Sequence, residues 1–519
     1  MNDVTVETSP KVSESSRTRS DQDILLAAKG GGIAFSGNLF VYAIRFCFGF
    51  VMARFLGADL LGLYSLSNTA TEVAGGMALL GLDVGVTRHV PIAIRQKDEA
   101  SLWGIIQAGI AVPGLLSLAL TIGLFLLAEP LSIRVYGRPD LAPVLRLASL
   151  LVPLFVMITI LTAVTQGFKR MEYAVYAENI AFNVSKLILS VALIGLGLSV
   201  MGAMAAYVAS AVVTVAMLFY FVHRLFPLNR PLHTAKRDMG KMLRFSIPVY
   251  LSQLLRQFGG SIETLVLGFL GVMSGVGIYT TVLRLSSIGT MFHHSLQAIA
   301  MPIISDLHSR GKIDQWERVY QTTTKWGMTF NLPIFLIIAL FAGPLLSIFG
   351  ADFVAGAPGL VVLAFSSLFN ASTGVCGSVI TMTGHSKLTL VNSITQFVVN
   401  IILAVLLIPR WGIMGAALCS TLSSVLINIL RTIQVYVLFR IWPYNASFVK
   451  PVMAAVVAMG VTYFSSQRLA FMHELLQLAI GTLLLLGTYG LMIVLLKFSE
   501  EDRLVLHKLV GRLGIKRSH

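Results

Sequence analysis

The stretch FLGADLLGLY at residues 55–64 returns as FLGVMSGVGIY at residues 269–279. Each copy carries a tyrosine, Tyr64 or Tyr279, within eight residues of its glycine. Working outward, further landmarks repeat in the same order. PLSI at 130–133 reappears as PLLSI at 344–348, and YG at 136–137 as FG at 349–350. The 16-residue spacing from Gly167 to Asn183 recurs from Gly384 to Asn400, and MGA at 201–203 recurs at 414–416. All these pairs are offset by 213 to 217 residues. One short match carries little weight, but a constant offset over successive landmarks marks an internal duplication.

The duplicated material is apolar. The 519-residue chain is 56% hydrophobic and 12% charged, with a mean hydropathy of +0.80. A soluble globular protein is about 25% charged, so an ordinary cytosolic enzyme is excluded. A membrane-spanning helix needs about 20 apolar residues. Apolar runs bounded by charges, Pro or Gly give fourteen candidate spans, at 31–56, 60–87, 103–128, 144–166, 175–197, 201–223, 245–269, 273–303, 326–349, 357–382, 389–408, 412–437, 449–466 and 472–496. The expected fold class is an all-α polytopic membrane protein.

The net charge of +15 would suggest nucleic acid as a partner in a soluble chain. Here it fits basic cytoplasmic loops, and no nucleic-acid partner is expected. With both termini cytoplasmic, the inner loops and tails hold 28 Lys and Arg, the outer loops five, and six remain inside spans. The five Trp fall near span ends or in loops, as an interfacial belt requires. The first 22 residues are polar and lack the apolar core of a signal peptide, and they read as a disordered cytoplasmic tail. Cys47, Cys376 and Cys419 sit in apolar segments with no metal-like spacing. The expected site is the bacterial cytoplasmic (inner) membrane.

Spans one and seven run in the same direction, because six spans separate the copies. The repeat is therefore parallel, about an axis along the membrane normal. The expected organisation is a tail at 1–22, a six-span lobe at 23–223, a basic linker at 224–244, and a second six-span lobe at 245–440. An extra helix pair at 441–497 and a basic tail at 498–519 complete it. Transporters built this way hold the substrate between lobes and rock one lobe against the other.

An ionisable side chain at the bilayer centre costs about 2.5–3.5 kcal/mol on insertion scales unless it faces a cavity or a partner. Ten lie inside the spans: Arg45, Arg54, Lys186, Arg256, Arg284, Arg431, Glu72, Asp83, Glu178 and Glu263. Several fall on helical stripes with other polar residues. Span one carries Asn38, Tyr42, Arg45 and Gly49; span two carries Tyr64, Asn68, Glu72 and Gly75. Span seven carries Ser252, Arg256, Gly259 and Glu263; span eight carries Thr280, Arg284, Ser287, His294 and Gln297. Span five adds Asn179, Asn183, Lys186 and Ser190, and span eleven Asn392, Gln396 and Asn400. These stripes argue for a shared wet interior.

Arg45, Arg256 and Arg284 lie deepest and are the first candidates for substrate contact, with Lys186, Arg54, Asn38, Tyr42, Asn68 and Gln396 beside them. Glu72, Glu263, Asp83 and His294 are candidates for ion coupling. Each also has a plainer reading. Arg54 and Arg431 can snorkel to headgroups, Asp83 and Glu178 fit helix-end pairing with Arg88 and Arg170, and Lys186 fits an ion pair across helices. Glu72 and Glu263 serve equally as counter-ions, and His293 and His294 as satisfied interior histidines.

Two six-span lobes, a basic central linker and fourteen spans resemble the multidrug/oligosaccharidyl-lipid/polysaccharide exporter superfamily. Three stretches are similar to its polysaccharide-flippase (Wzx-type) branch: ARFLGADLLGLYSL at 53–66, LGLDVGVTRHVP at 80–91 and TQGFKRMEYA at 165–174. The resemblance implies a flippase that turns undecaprenyl-diphosphate-linked oligosaccharide from the inner to the outer leaflet for O-antigen, exopolysaccharide or capsule assembly. It also implies membrane lipids and a polysaccharide polymerase or chain-length protein as partners.

Arginine suits such a substrate, because its planar fork binds phosphate bidentately and stays charged. Asn, Gln, Ser and Tyr suit sugar hydroxyls. Drug exporters of the same superfamily carry cations and usually place a carboxylate on the first helix. Span one has none between residues 31 and 58, which weighs against cation efflux, while Glu72 and Glu263 keep that alternative open. A membrane glycosyltransferase, polymerase or ligase would need an extramembrane domain or an acidic outer face, and the outer acids Asp59, Glu129, Asp140, Asp352 and Glu474 are scattered. The chain shows no P-loop, nucleophile elbow or metal motif, so no enzyme activity and no cofactor are expected.

Overall fold

A computed structural model describes the backbone of residues 14–227, 231, 239–468 and 472–496. Side chains are described from residue 41 onward, apart from residues 239, 241, 245, 248, 298, 299, 302 and 386. Most of the linker at 224–244 and the tail at 498–519 lie outside the described residues. Among the described residues the protein is all helical, a polytopic bundle of fourteen spans.

Nine stretches are long and apolar enough to cross a membrane as single units. Three of these, at 39, 55 and 53 residues, are too long for one crossing and hold two each. Spans seven and eight, Met239–Phe269 and Met273–Ser309 in two helices, complete the fourteen. They carry Arg256, Glu263, Arg284 and the two histidines, which lower their hydropathy.

The breaks between spans fall on residues with positive φ. Helix Glu14–Leu79 is interrupted at Gly57 (φ 70°) and helix Ser386–Phe439 at Gly412 (φ 52°). Glycine adopts this left-handed region without steric cost. The duplication is legible in these backbone angles. Positive φ at Gly57, Lys97, Gly137, Lys169 and Gly197 is matched at Gly271, Gly311, Gly350, Gly384 and Gly412, each pair 213 to 215 residues apart. These five positions are the five connections inside each lobe, so the repeat holds for every turn of the six-span unit.

Several helices outrun the spans expected from hydropathy. The first begins at Glu14, inside the segment expected as a disordered tail, and residues 14–29 contain no Gly or Pro to stop it. Span two breaks at Gly81 and continues as Leu82–Gln96, and span nine starts at Ile313. The extensions at the end bearing the termini are polar, and a helix does not need apolar residues once it leaves hydrocarbon.

Lipid is as apolar as leucine, so helices associate by close packing and small residues. Span two crosses span eight where two repeat-related glycines meet. A Cβ on Gly62 would lie 1.9 Å from the Met273 carbonyl oxygen, and one on Gly277 would lie 2.0 Å from the Ala58 carbonyl oxygen. Around this crossing Leu61, Tyr64, Leu267, Tyr279 and Val282 form a core shared by both lobes. Nearer the termini, span two instead packs on span seven. The Gln257 amide donates to the Glu72 carbonyl oxygen at 2.6 Å, and the Tyr250 hydroxyl donates to that of Met77 at 2.9 Å. The last two spans, Val449–Arg468 and Glu474–Leu495, pack on each other and on span nine. The Tyr489 hydroxyl donates to the Thr329 carbonyl oxygen at 2.9 Å in that contact.

Candidate functional site

Below the glycine crossing the lobes part around a cavity of about 680 Å³. Spans one, two, five, six and eight line it, and Phe349 at the end of span nine closes one corner. Among the described residues its walls carry three cations, Arg45, Lys186 and Arg284, and one carboxylate, Glu72. Arg45, Lys186 and Glu72 come from the first lobe and Arg284 from the second.

Each charge is held differently. The Lys186 ammonium lies over three rings, 4.5 Å from the centroid of Phe48, 4.8 Å from Phe182 and 4.9 Å from Tyr207. Ring faces attract a cation by about 0.5–2 kcal/mol, more where water is excluded, so the three rings offset part of the cost of burying the ammonium. The Glu72 carboxylate accepts from the Asn68 amide at 2.7 Å, and the cations acting on it are Arg284 and then Lys186. The Asn68 Oδ1 is buried without a partner among the described residues. Arg45 donates from Nε to Asn183 Oδ1 at 3.4 Å. Arg284 faces Gly49, where a Cβ would sit 3.6 Å from its Nη1. The helix carrying Arg284 breaks one turn later, between Ser286 and Ile288.

Of the residues expected from the stripes, Tyr42, Arg45, Asn68, Glu72, Lys186 and Arg284 line this cavity. Arg54, Arg256, Gln396, Glu263, Asp83 and His294 do not. Asn38 falls among the residues whose side chains are not described. Arg54 is exposed near the end of span one, where snorkelling accounts for it. Arg256 is exposed on span seven, and Arg431 is the neighbour on which its charge acts. Gln396 is half-buried on span eleven. His294 is exposed, with its ring 6.1 Å from that of His293. Span eight turns its Met291 and Phe292 to the cavity instead.

Glu263 is buried inside the second lobe. Its carboxylate accepts from the Asn400 amide at 3.1 Å, and the same amide reaches the Gly259 carbonyl oxygen at 3.3 Å. The Cys419 thiol lies 3.4 Å from Asn400 Oδ1. No ion pair holds Glu263 among the described residues. Asp83 lines a second cavity of about 400 Å³ with Glu178, Thr87, Thr159, Thr162 and Gln166. Thr162 donates to Glu178, and Arg170 pairs with Glu172 at 3.1 Å, so the expected Glu178–Arg170 contact is replaced by a hydroxyl.

Phe48, Phe182, Tyr207 and Asn183 complete the main site and were not among the expected contacts. Asn183 could have been taken from the span-five stripe. The three rings could not, since aromatic residues at helical spacing read as packing, and only the fold turns them toward one ammonium.

The family model described as "Polysaccharide biosynthesis protein" matches residues 27–308, and the MatE model matches residues 248–406. The probable low-salt glycan biosynthesis flippase Agl15 of Haloferax volcanii is 24% identical over 255 residues, 49% of this chain and 53% of that protein. The capsular polysaccharide biosynthesis protein CapF of Staphylococcus aureus is 28% identical over 181 residues, 34% of this chain and 46% of that one. The chain thus spans about half the length of these curated relatives. The stage V sporulation protein B of Bacillus subtilis, 22% identical, is matched over 94% of this chain and 99% of its own. Among solved structures, the lipid II flippase MurJ in an inward closed conformation superposes with a TM-score of 0.71 at 15% identity, over 89% of this chain and 98% of that one. An inward-facing multidrug resistance MATE family transporter of the MOP superfamily gives 0.63 at 18% identity, over 77% and 98%. At these identities the superpositions speak for the fold, and the family match covers more than half the chain: it belongs to the polysaccharide biosynthesis protein family and has the fold of the MOP superfamily transporters.

Proposed function

We propose that this protein is a flippase that moves undecaprenyl-diphosphate-linked oligosaccharide across the bacterial cytoplasmic membrane by alternating access, for assembly of a surface polysaccharide. The observation that carries the reading is the charge of the cavity. Its described walls carry more basic than acidic groups, Arg45 and Arg284 with Lys186 against Glu72 alone, and such an excess suits an anionic diphosphate. Arg45 and Arg284 offer planar forks for phosphate oxygens, and they belong to opposite lobes. A headgroup bound between them would pull the lobes together, and release would let them part. Tyr42, Asn68 and Ser287 give the same walls groups that suit sugar hydroxyls. The likeness to Agl15, a probable glycan biosynthesis flippase, and to MurJ, a lipid II flippase, supports the same substrate class.

Export of a cationic drug is the poorer reading. Such a ligand would enter a cavity whose fixed charges repel it, with Glu72 the lone carboxylate among the described lining residues. In our reading both termini are cytoplasmic and the protein is a transporter rather than an enzyme. Glu263 and Asp83, both outside the main cavity, stay candidates for ion coupling.

The test is reconstitution. Vesicles with a fluorescent undecaprenyl-diphosphate oligosaccharide in both leaflets are treated with a membrane-impermeant quencher. The expected result is that protein exposes the inner-leaflet half of the pool within minutes, while vesicles with Arg45→Ala/Arg284→Ala protein quench only the outer half. Equal quenching with wild-type protein and with no protein would overturn the reading.

A further inference from the structure

Span five is not a plain α-helix. It opens as Met171–Ala174, widens into a π-helical turn over Val175–Ala181 and resumes as Phe182–Leu193. A π turn shifts backbone pairing by one residue, and such turns recur at functional sites. The Asn183 side chain bonds to this wide turn just where the α-helix resumes. Its amide donates to the carbonyl oxygens of Glu178 and Asn179, both at 2.9 Å. Its own Oδ1 then accepts from Arg45 Nε at 3.4 Å.

An asparagine amide has two donors and one acceptor group, and all are engaged here in a residue 2% exposed. Holding Arg45 by Nε leaves the paired Nη groups of the guanidinium without another protein acceptor among the described residues. Those are the atoms that bind phosphate bidentately. The turn at the other end of the amide carries Glu178 into the smaller acidic cavity beside Asp83. Asn183 therefore stands between the two cavities and touches the backbone of one and the cation of the other.

The second lobe shows that this is a use of the asparagine and not a property of the repeat. Its counterpart Asn400 donates to Glu263 and to the Gly259 carbonyl oxygen on span seven. Gly259 is the residue matching Arg45 under the repeat. The helix around Asn400, Ser386–Phe439, has no wide turn. The same position thus joins span eleven to span seven in one lobe, and in the other pins a cation and a bulge.

We propose that Asn183 is a positioning residue of the transport site: it aims Arg45 at the anionic headgroup and ties that arginine to the bulged turn bearing Glu178. The headgroup contact rests on the function proposed above; the tie to the turn does not. Two measurements on purified full-length protein in detergent test the two halves.

The first is a double-mutant cycle on farnesyl diphosphate binding. Asn183→Ala should weaken binding about tenfold in the wild-type background and less than twofold in the Arg45→Ala background, because it acts through that arginine. Losses that multiply would overturn the positioning role, as would Asn183→Ala binding within twofold of wild type. The second is amide hydrogen exchange over residues 175–186 without ligand. Asn183→Ala should exchange at least tenfold faster there, while the distant Thr121→Val, which removes a hydroxyl bond in span three, should not. Unchanged exchange in Asn183→Ala would overturn the tie. Should wild-type protein fail to bind farnesyl diphosphate, the proposed headgroup contact falls with it, and the exchange experiment still decides whether Asn183 pins the turn.

Discussion

The hydroxyl oxygens of Ser65 and Thr280 lie 3.1 Å apart, although 215 residues separate them in the chain. They are counterparts in the duplication, so this hydrogen bond joins a residue to its own image in the other lobe. The Gly62–Gly277 crossing lies one turn away, and it too is self-matching. These contacts mark where the pseudo-twofold axis passes through protein, and there the lobes are shut.

A cross-link should therefore form on that axis. Ser65→Cys/Thr280→Cys protein, with exposed Cys47 changed to Ala, is expected to oxidise to one intramolecular disulfide. Cleavage within 228–238 followed by electrophoresis would reveal it as two fragments that stay joined until reduced. Transport should stop on oxidation and return on reduction. Fragments that separate without reductant would show that the lobes do not meet here.

The crossing also depends on two missing methyl groups. Gly62→Val or Gly277→Val would drive a side chain into a backbone carbonyl, which cannot rotate away. Overpacking of this kind costs about 1–3 kcal/mol, enough to shift a two-state equilibrium roughly five- to over a hundredfold. The expected outcome is a protein open at this end, with a cysteine at Ser65 labelled by an impermeant thiol reagent at least fivefold faster than in the parent. Unchanged labelling would argue against this contact as the closed gate.

Charge position should grade the arginines. A hydrogen bond to a charged group is worth about 1.5–3 kcal/mol, so Arg45→Ala or Arg284→Ala should weaken diphosphate binding roughly ten- to a hundredfold. Arg→Lys at either should rescue in part, since it keeps charge and loses the fork. Arg256→Ala, outside the cavity, should cost less than either. Binding by titration calorimetry ranks them, and an Arg256 effect equal to that of Arg45 would mean the substrate reaches span seven.

The cage around Lys186 offers a test of its own. Phe48→Leu and Tyr207→Leu keep the site apolar and remove a ring face, a loss of about 0.5–2 kcal/mol at the ammonium. Diphosphate affinity should fall by less than in Lys186→Met, and farnesyl monophosphate should become a closer competitor in all three. Should Lys186→Met bind diphosphate as well as wild type, the ammonium is structural.

Orientation is tested with reporters. Fusions at Lys236 and at Gly137 should report the cytoplasm and the opposite side respectively, following the excess of Lys and Arg at the end of the bundle that bears the termini. Reversed signals would invert the direction of transport proposed here.

Span number, the duplication and the basic bias of one end are set by local composition, and each was legible in the chain. Hydropathy depends on a window of neighbours, and the FLG landmarks at Gly57 and Gly271 announce turns that need positive φ wherever the helices go. Which polar stripes meet is a different kind of fact. Arg45 and Glu263 sit on stripes of the same spacing, yet Arg45 faces the cavity and Glu263 points into its own lobe toward Asn400. Arg256 was expected beside Arg45 and does not line the cavity that holds Arg45, while Phe48, Phe182 and Tyr207 converge on Lys186 from three helices. Periodicity gives the angle between side chains on one helix but leaves the helix free to rotate about its axis. That rotation is fixed by close packing between helices at places such as Gly62 and Gly277, and by the wide turn in span five that re-aims Glu178. Only the tertiary structure decided it, because it depends on contacts between residues some two hundred positions apart.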